Sequence, residues 1–97
     1  MYKKGEGVAQ DYKEAVKWYT EAAEQGVAFA QSNLGAMYDE GKGVAQDYKS
    51  AHMWFNIAAA NGYSGAVENR DIVAKRMTPS QIEKAQDMAR EWMAKHQ

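Results

Sequence analysis

Gly5–Gly26 reads GEGVAQDYKEAVKWYTEAAEQG, and Gly41–Gly62 reads GKGVAQDYKSAHMWFNIAAANG. The two stretches are offset by 36 residues, and 13 of their 22 aligned positions are identical. The aromatic pairs Trp18-Tyr19 and Trp54-Phe55 keep step. The register also extends outward, matching Met1-Tyr2 to Met37-Tyr38, Ala30 to Ala66 and Asn33 to Asn69. A self-similar period of 20 to 50 residues marks stacked supersecondary units, each too small to bury its own apolar face alone.

Within one unit the residues spell out two helices. Asp11 is placed to cap the first, with Glu14 three residues on as its capping-box partner. Good helix formers then run to Gln25, and Gly26 suits the left-handed position just past the end. At about 100° per residue Tyr12, Ala15, Tyr19, Ala22 and Ala23 share a face, with Trp18 at its edge. A second helix is predicted from Ala28 to Asp39, burying Ala30, Leu34 and Met37-Tyr38, and Gly41-Lys42-Gly43 turns into the next unit. The predicted fold is therefore all-α: two stacked helix-turn-helix units forming a short right-handed superhelix.

These residues carry a resemblance. G-x-G-V-x-x-D-Y-x-x-A-x-x-W-[YF]-x-x-A-A-x-x-G, followed by A-x-x-x-L-G-x-M-Y at Ala30–Tyr38, resembles the Sel-one-like repeat family of tetratricopeptide-like α/α repeats. The match runs from Met1 to about Arg76. It implies an interaction scaffold that binds a protein or peptide, without catalysis and without a cofactor. The second unit departs late, with Arg70-Asp71 standing where Leu34-Gly35 stood, as terminal repeats often do.

Thr78-Pro79-Ser80-Gln81 is a strong helix start, with a cap, a proline at the first helical position and a capping-box glutamine. The helix is expected to span Pro79–Lys95, with Ile82, Ala85, Ala89, Trp92 and Met93 in one stripe. Its seat is suggested by comparing the units. Lys13, Lys17, Glu21 and Glu24 of the first become Lys49, Met53, Ile57 and Ala60 in the second, and three of the four have turned apolar. An apolar face needs a cover, so the last helix is expected to cap Met53, Ile57 and Ala60; an apolar binding patch is the rival. The expected organisation is one domain over 1–97: the end of a truncated preceding unit at 1–4, units at 5–40 and 41–76, and a capping helix at 78–97.

Because the chain opens inside a repeat, the face around Tyr12, Val16 and Tyr19 is expected to be apolar and partly open, a candidate for self-association as a homodimer. Lys13, Lys17, Thr20, Glu21 and Glu24 form the candidate partner-binding wall, since equivalent helices of successive units line one surface. Two other readings stay open: a cell-envelope ligand binder or enzyme-associated repeat protein, and a self-associating segment of a longer array.

The remaining chemistry is thin. Twelve basic against 13 acidic residues, a net charge of −1, give no basic field to grip a nucleic-acid backbone. There is no Cys for a disulfide or thiolate metal site. His52 and His96 lack partners at metal-ligand spacing, so no metal is expected, and both are read as packing or solvent contacts, His96 at a frayed end. The Gly5-x-Gly7 and Gly41-x-Gly43 turns lack the Lys-Ser/Thr pair of a phosphate loop. Gly62-Tyr63-Ser64-Gly65 is not a nucleophile elbow, and Asp39-Glu40-Gly41 is not a calcium loop. Glu14, Glu21 and Glu24 read as a charge-laced solvated face, and Trp18, Trp54 and Trp92 as core or cap anchors. No apolar run approaches a membrane span, and no signal peptide is evident. That leaves a cytoplasmic location, or a periplasmic or secreted one if a leader has been removed.

Overall fold

The repeat reading fixes where chain direction must reverse, and the computed structural model reverses it there. Five helices follow one another over the described residues, 8–96: α1 (Val8–Glu24), α2 (Ala28–Glu40), α3 (Tyr48–Ala60), α4 (Ala66–Ala74) and α5 (Pro79–Lys95). The expected end of a preceding unit at Met1–Lys4 and the Gly5-x-Gly7 turn lie outside the described residues.

α2 packs between α1 and α3, and α3 in turn packs against α4 and α5. Two apolar clusters follow from this order. One joins Ala23 of α1, Ala30 and Leu34 of α2, Trp54 and Ile57 of α3 and Ala89 of α5. The other joins Ala51 and Phe55 of α3 to Val73, Met77 and Ala85. The small residues let helices close in, and Gly35 marks the tightest approach: a Cβ there would stand 2.9 Å from the Phe55 ring. Gly43 is required for a different reason. Its φ of +77° is left-handed, and a Cβ would meet the Tyr12 carbonyl at 2.4 Å, which locks the inter-unit turn onto α1.

The two units enter their first helices differently. Asp47 caps α3 as the repeat pattern expects, accepting from the Lys49 N–H at 3.1 Å and from the Ser50 hydroxyl at 2.7 Å. α1 instead starts at Val8, which puts Asp11 inside its first turn rather than at the cap. Before α3 the chain is held extended by the Asp47 N–H donating to the Tyr38 carbonyl at 3.0 Å and the Gln46 amide donating to that of Asp39 at 3.1 Å. Their counterparts in the first unit, Tyr2 and Lys3, lie outside the described residues.

α5 begins with the expected capping box. The Gln81 N–H donates to the Thr78 hydroxyl at 3.2 Å and the Thr78 N–H to the Gln81 side-chain oxygen at 2.9 Å. Its stripe lands on α3: Ile57 is fully buried, and Met53, Trp92 and Met93 pack around it. Burying a side chain the size of Ile57 contributes about 1.5–3 kcal/mol. Ala60 departs from the expectation; it lies one turn beyond the crossing and stays exposed.

Candidate functional site

The proposed wall is carried by the outer face of α1. Lys13, Lys17, Glu21 and Glu24 are exposed and Thr20 is half-buried. Its continuation on α3, at Met53 and Ile57, is the surface that α5 covers. The two units therefore treat the same face differently: α3 receives a helix of its own chain, and α1 leaves the face in solvent except at Glu24, which the end of α5 reaches. Glu14 stands exposed beside them.

Tyr12, Val16 and Tyr19 are each half-buried. Val16 and Tyr19 pack against the core, and Tyr19 meets Phe29 edge-on at 6.2 Å. Tyr12 turns toward the second unit, where Lys42 Nζ lies 5.3 Å from its ring centroid. Among the α1 residues whose burial is described, the exposed large apolar one is Trp18. Read as a core anchor, it is 69% exposed, whereas its repeat partner Trp54 is 5% exposed. The cause is neighbourhood: Trp54 is wedged against Ala23, Ala30 and Leu34 of the first unit and meets Trp92 edge-on at 5.5 Å. Trp18 borders a shallow groove of about 530 Å³ with Thr20, Glu21, Ala22, Glu24 and Gln25.

A second groove, of about 540 Å³, opens where α1, α3 and α5 all end, lined by Glu24, Gln25, Gly26, Ala60, Asn61, Trp92, Met93 and His96. His96 is not frayed. Its ring stacks on Trp92 at 3.8 Å, Nε2 lies 2.7 Å from Glu24 Oε1, and Nδ1 lies 2.7 Å from the Trp92 carbonyl. The Trp92 indole N–H also donates to Glu24 Oε1 at 3.3 Å. Sequence reading isolated Glu24 and Trp92 but missed this cluster. The available signal was the four-residue spacing of Trp92 and His96, which puts them on one helix face. Behind the groove, fully buried Gln31 donates to the Ala23 carbonyl at 3.1 Å and accepts from the Asn61 amide at 2.9 Å, tying the ends of α1 and α3 together.

Elsewhere the ionisable groups do structural work. Arg70 donates to Asn56 at 3.0 Å and pairs with Asp71 at 3.4 Å. On α5 the ion pair joins Asp87 to Arg90. His52 is buried in α3; burial, and then the nearby Arg70 charge, lower its pKa, against an opposing pull from Asp71. Among the described residues no cluster of three or more His, Asp or Glu could hold a metal ion. No described helix is long and apolar enough to cross a membrane.

The Sel1 repeat family model matches residues 1–27 and 28–63, together more than half of the chain. The chain belongs to the Sel1 repeat family. The matched frames break between α1 and α2 rather than at the Gly-x-Gly turns; a periodic sequence can be framed from either point. Among solved structures, the Sel1 chain resembles the crystal structure of c5321, described as a protective antigen present in uropathogenic Escherichia coli strains displaying an SLR fold. The two are 37% identical with a TM-score of 0.85, over 96% of this chain and 20% of that one. The chain thus spans about one fifth of the length of that relative. No curated protein matched. The likeness makes the fold an all-α repeat superhelix of the Sel1 type. Sel1 repeats generally mediate protein–protein interaction, and proteins built from them are typically non-enzymatic scaffolds.

Proposed function

We propose that this chain is a non-enzymatic interaction module that binds a protein or peptide along the outer face of α1, through Lys13, Lys17, Thr20, Glu21 and Glu24. Units at 5–40 and 41–76, with the helix at 78–97 as a cap, make up the module. One observation carries the reading: the equivalent face of α3 is covered by an amphipathic helix, α5. A helix seated on the equivalent face of α3 supports reading the outward face of α1 as a partner surface as well. On α1 the same positions carry charges of both signs, which select a partner more than they hold it.

Selection of peptides from a random display library against the immobilised chain tests this. The expected result is enrichment of a related set of sequences that compete with one another for the chain. A library that returns no competing set would contradict it.

The exposure of Trp18 supports a second reading, self-association through the N-terminal face. Ala15, Trp18 and Ala22 repeat the Ala51, Trp54 and Ala58 of α3, which are buried against neighbouring helices. A homodimer using this face should lose affinity in Trp18→Glu and in Tyr12→Glu while each variant stays folded. Sedimentation equilibrium that finds only monomer at every concentration of the parent chain would rule it out.

A further inference from the structure

Three helix ends meet at the groove beside Glu24. α1 stops at Glu24, α3 at Ala60 and α5 at Lys95, and the groove is lined from all three ends. Helix C-termini carry partial negative charge. Three of them beside one carboxylate favour a cation.

A side chain of the chain itself already fills the place. Both ring nitrogens of His96 face acceptors, Glu24 Oε1 and the Trp92 carbonyl oxygen, each at 2.7 Å. Its flat ring lies on Trp92 with 8° between the planes, as a cation lies on an aromatic face. A planar group that stacks on indole with its nitrogen edge facing a carboxylate is also the description of a guanidinium.

We propose that this groove is a seat for the arginine side chain of a partner peptide, with His96 as a resident plug that the arginine replaces. The guanidinium would stack on Trp92 and donate to Glu24. His96, the residue that follows α5 and solvent-exposed, can swing out without unpacking Ala85 or Ala89. The proposal rests on the peptide-binding reading above and names the side chain that reading leaves open.

The test follows the tryptophan indole N–H resonances of the full chain in NMR titrations with acetyl-Gly-Arg-Gly-amide, and with its lysine and glutamate counterparts. In His96→Ala, which removes the plug, the arginine tripeptide should shift the Trp92 indole saturably and bind at least about tenfold tighter than the lysine one. The parent chain should bind it more weakly, because His96 competes. Adding Glu24→Gln to His96→Ala should abolish binding. Far-UV circular dichroism matching the parent chain should report an intact fold in each variant. The seat is refuted if the Trp92 resonance does not move, if lysine binds as tightly as arginine, or if binding survives Glu24→Gln. Should that happen while library-selected peptides still bind the chain, the seat falls and the interaction module stands; if selected peptides fail as well, both fall.

Discussion

Gln31 is a polar side chain with no solvent contact, and both ends of its amide are used, one on the Ala23 carbonyl and one on the Asn61 amide. Replacing it with Leu keeps the volume but removes both bonds, while the Ala23 carbonyl still accepts from the Gly26 N–H and Asn61 is open to solvent, so Gln31→Leu should cost about 0.5–1.5 kcal/mol in urea unfolding. A cost near zero would mean the clamp is incidental. His52 gives a second residue-scale expectation. Burial lowers its pKa below the ordinary 6.5, so the unfolded chain takes the proton more readily than the folded one. Its contribution is full above the unfolded value and is lost as pH falls through 6.5 toward the folded value. Thermal midpoints measured at pH about 7.5 and about 5 should therefore fall less in His52→Gln than in the parent. Neither role could be read from the sequence. A glutamine within Ala-Gln-Ser-Asn and a histidine within Ala-His-Met carry no mark of burial, which depends on what crosses them. Trp18 and Trp54 make the same point, since one residue type at one repeat position is exposed in the first unit and buried in the second.

At the scale of the helix, the ends that were legible are those fixed by local chemistry. Thr78-Pro79-Ser80-Gln81 announced α5 because every bond of its capping box lies within four residues. The start of α1 falls at Val8 rather than at the Asp11 cap read from the repeat, whereas at the matching Asp47 the preceding residues are held extended by the bond to Tyr38. Two substitutions separate the contributions of α5. Thr78→Ala removes the side-chain acceptor of the cap and should cost about 1 kcal/mol in thermal or urea unfolding. The pair Met53→Asp with Ile57→Asp puts charge beneath α5 and should cost more than about 4 kcal/mol, or leave the chain unfolded by circular dichroism. An unchanged unfolding midpoint in the double variant would show that α5 does not depend on that seat.

For the whole molecule, periodicity carried the architecture and left the interaction surface unresolved. A 36-residue offset is enough to place helix pairs in order, because each unit repeats the same apolar positions. It does not say that α5 crosses the face of α3, nor that its last turn reaches Glu24 of α1, since those contacts join residues 68 and 72 positions apart. The consequence is one face divided in two, with the α3 half taken by the chain itself and the α1 half presented to solvent. The measurement that bears most directly on this division is calorimetric titration of a library-selected peptide into the parent chain and into a Lys17→Glu, Glu21→Lys variant. Both positions are exposed, so the variant should fold and unfold as the parent does. Affinity weakened at least about tenfold, or 1.4 kcal/mol, places the partner on the α1 face. Equal affinity in parent and variant would contradict the account and move the binding surface elsewhere.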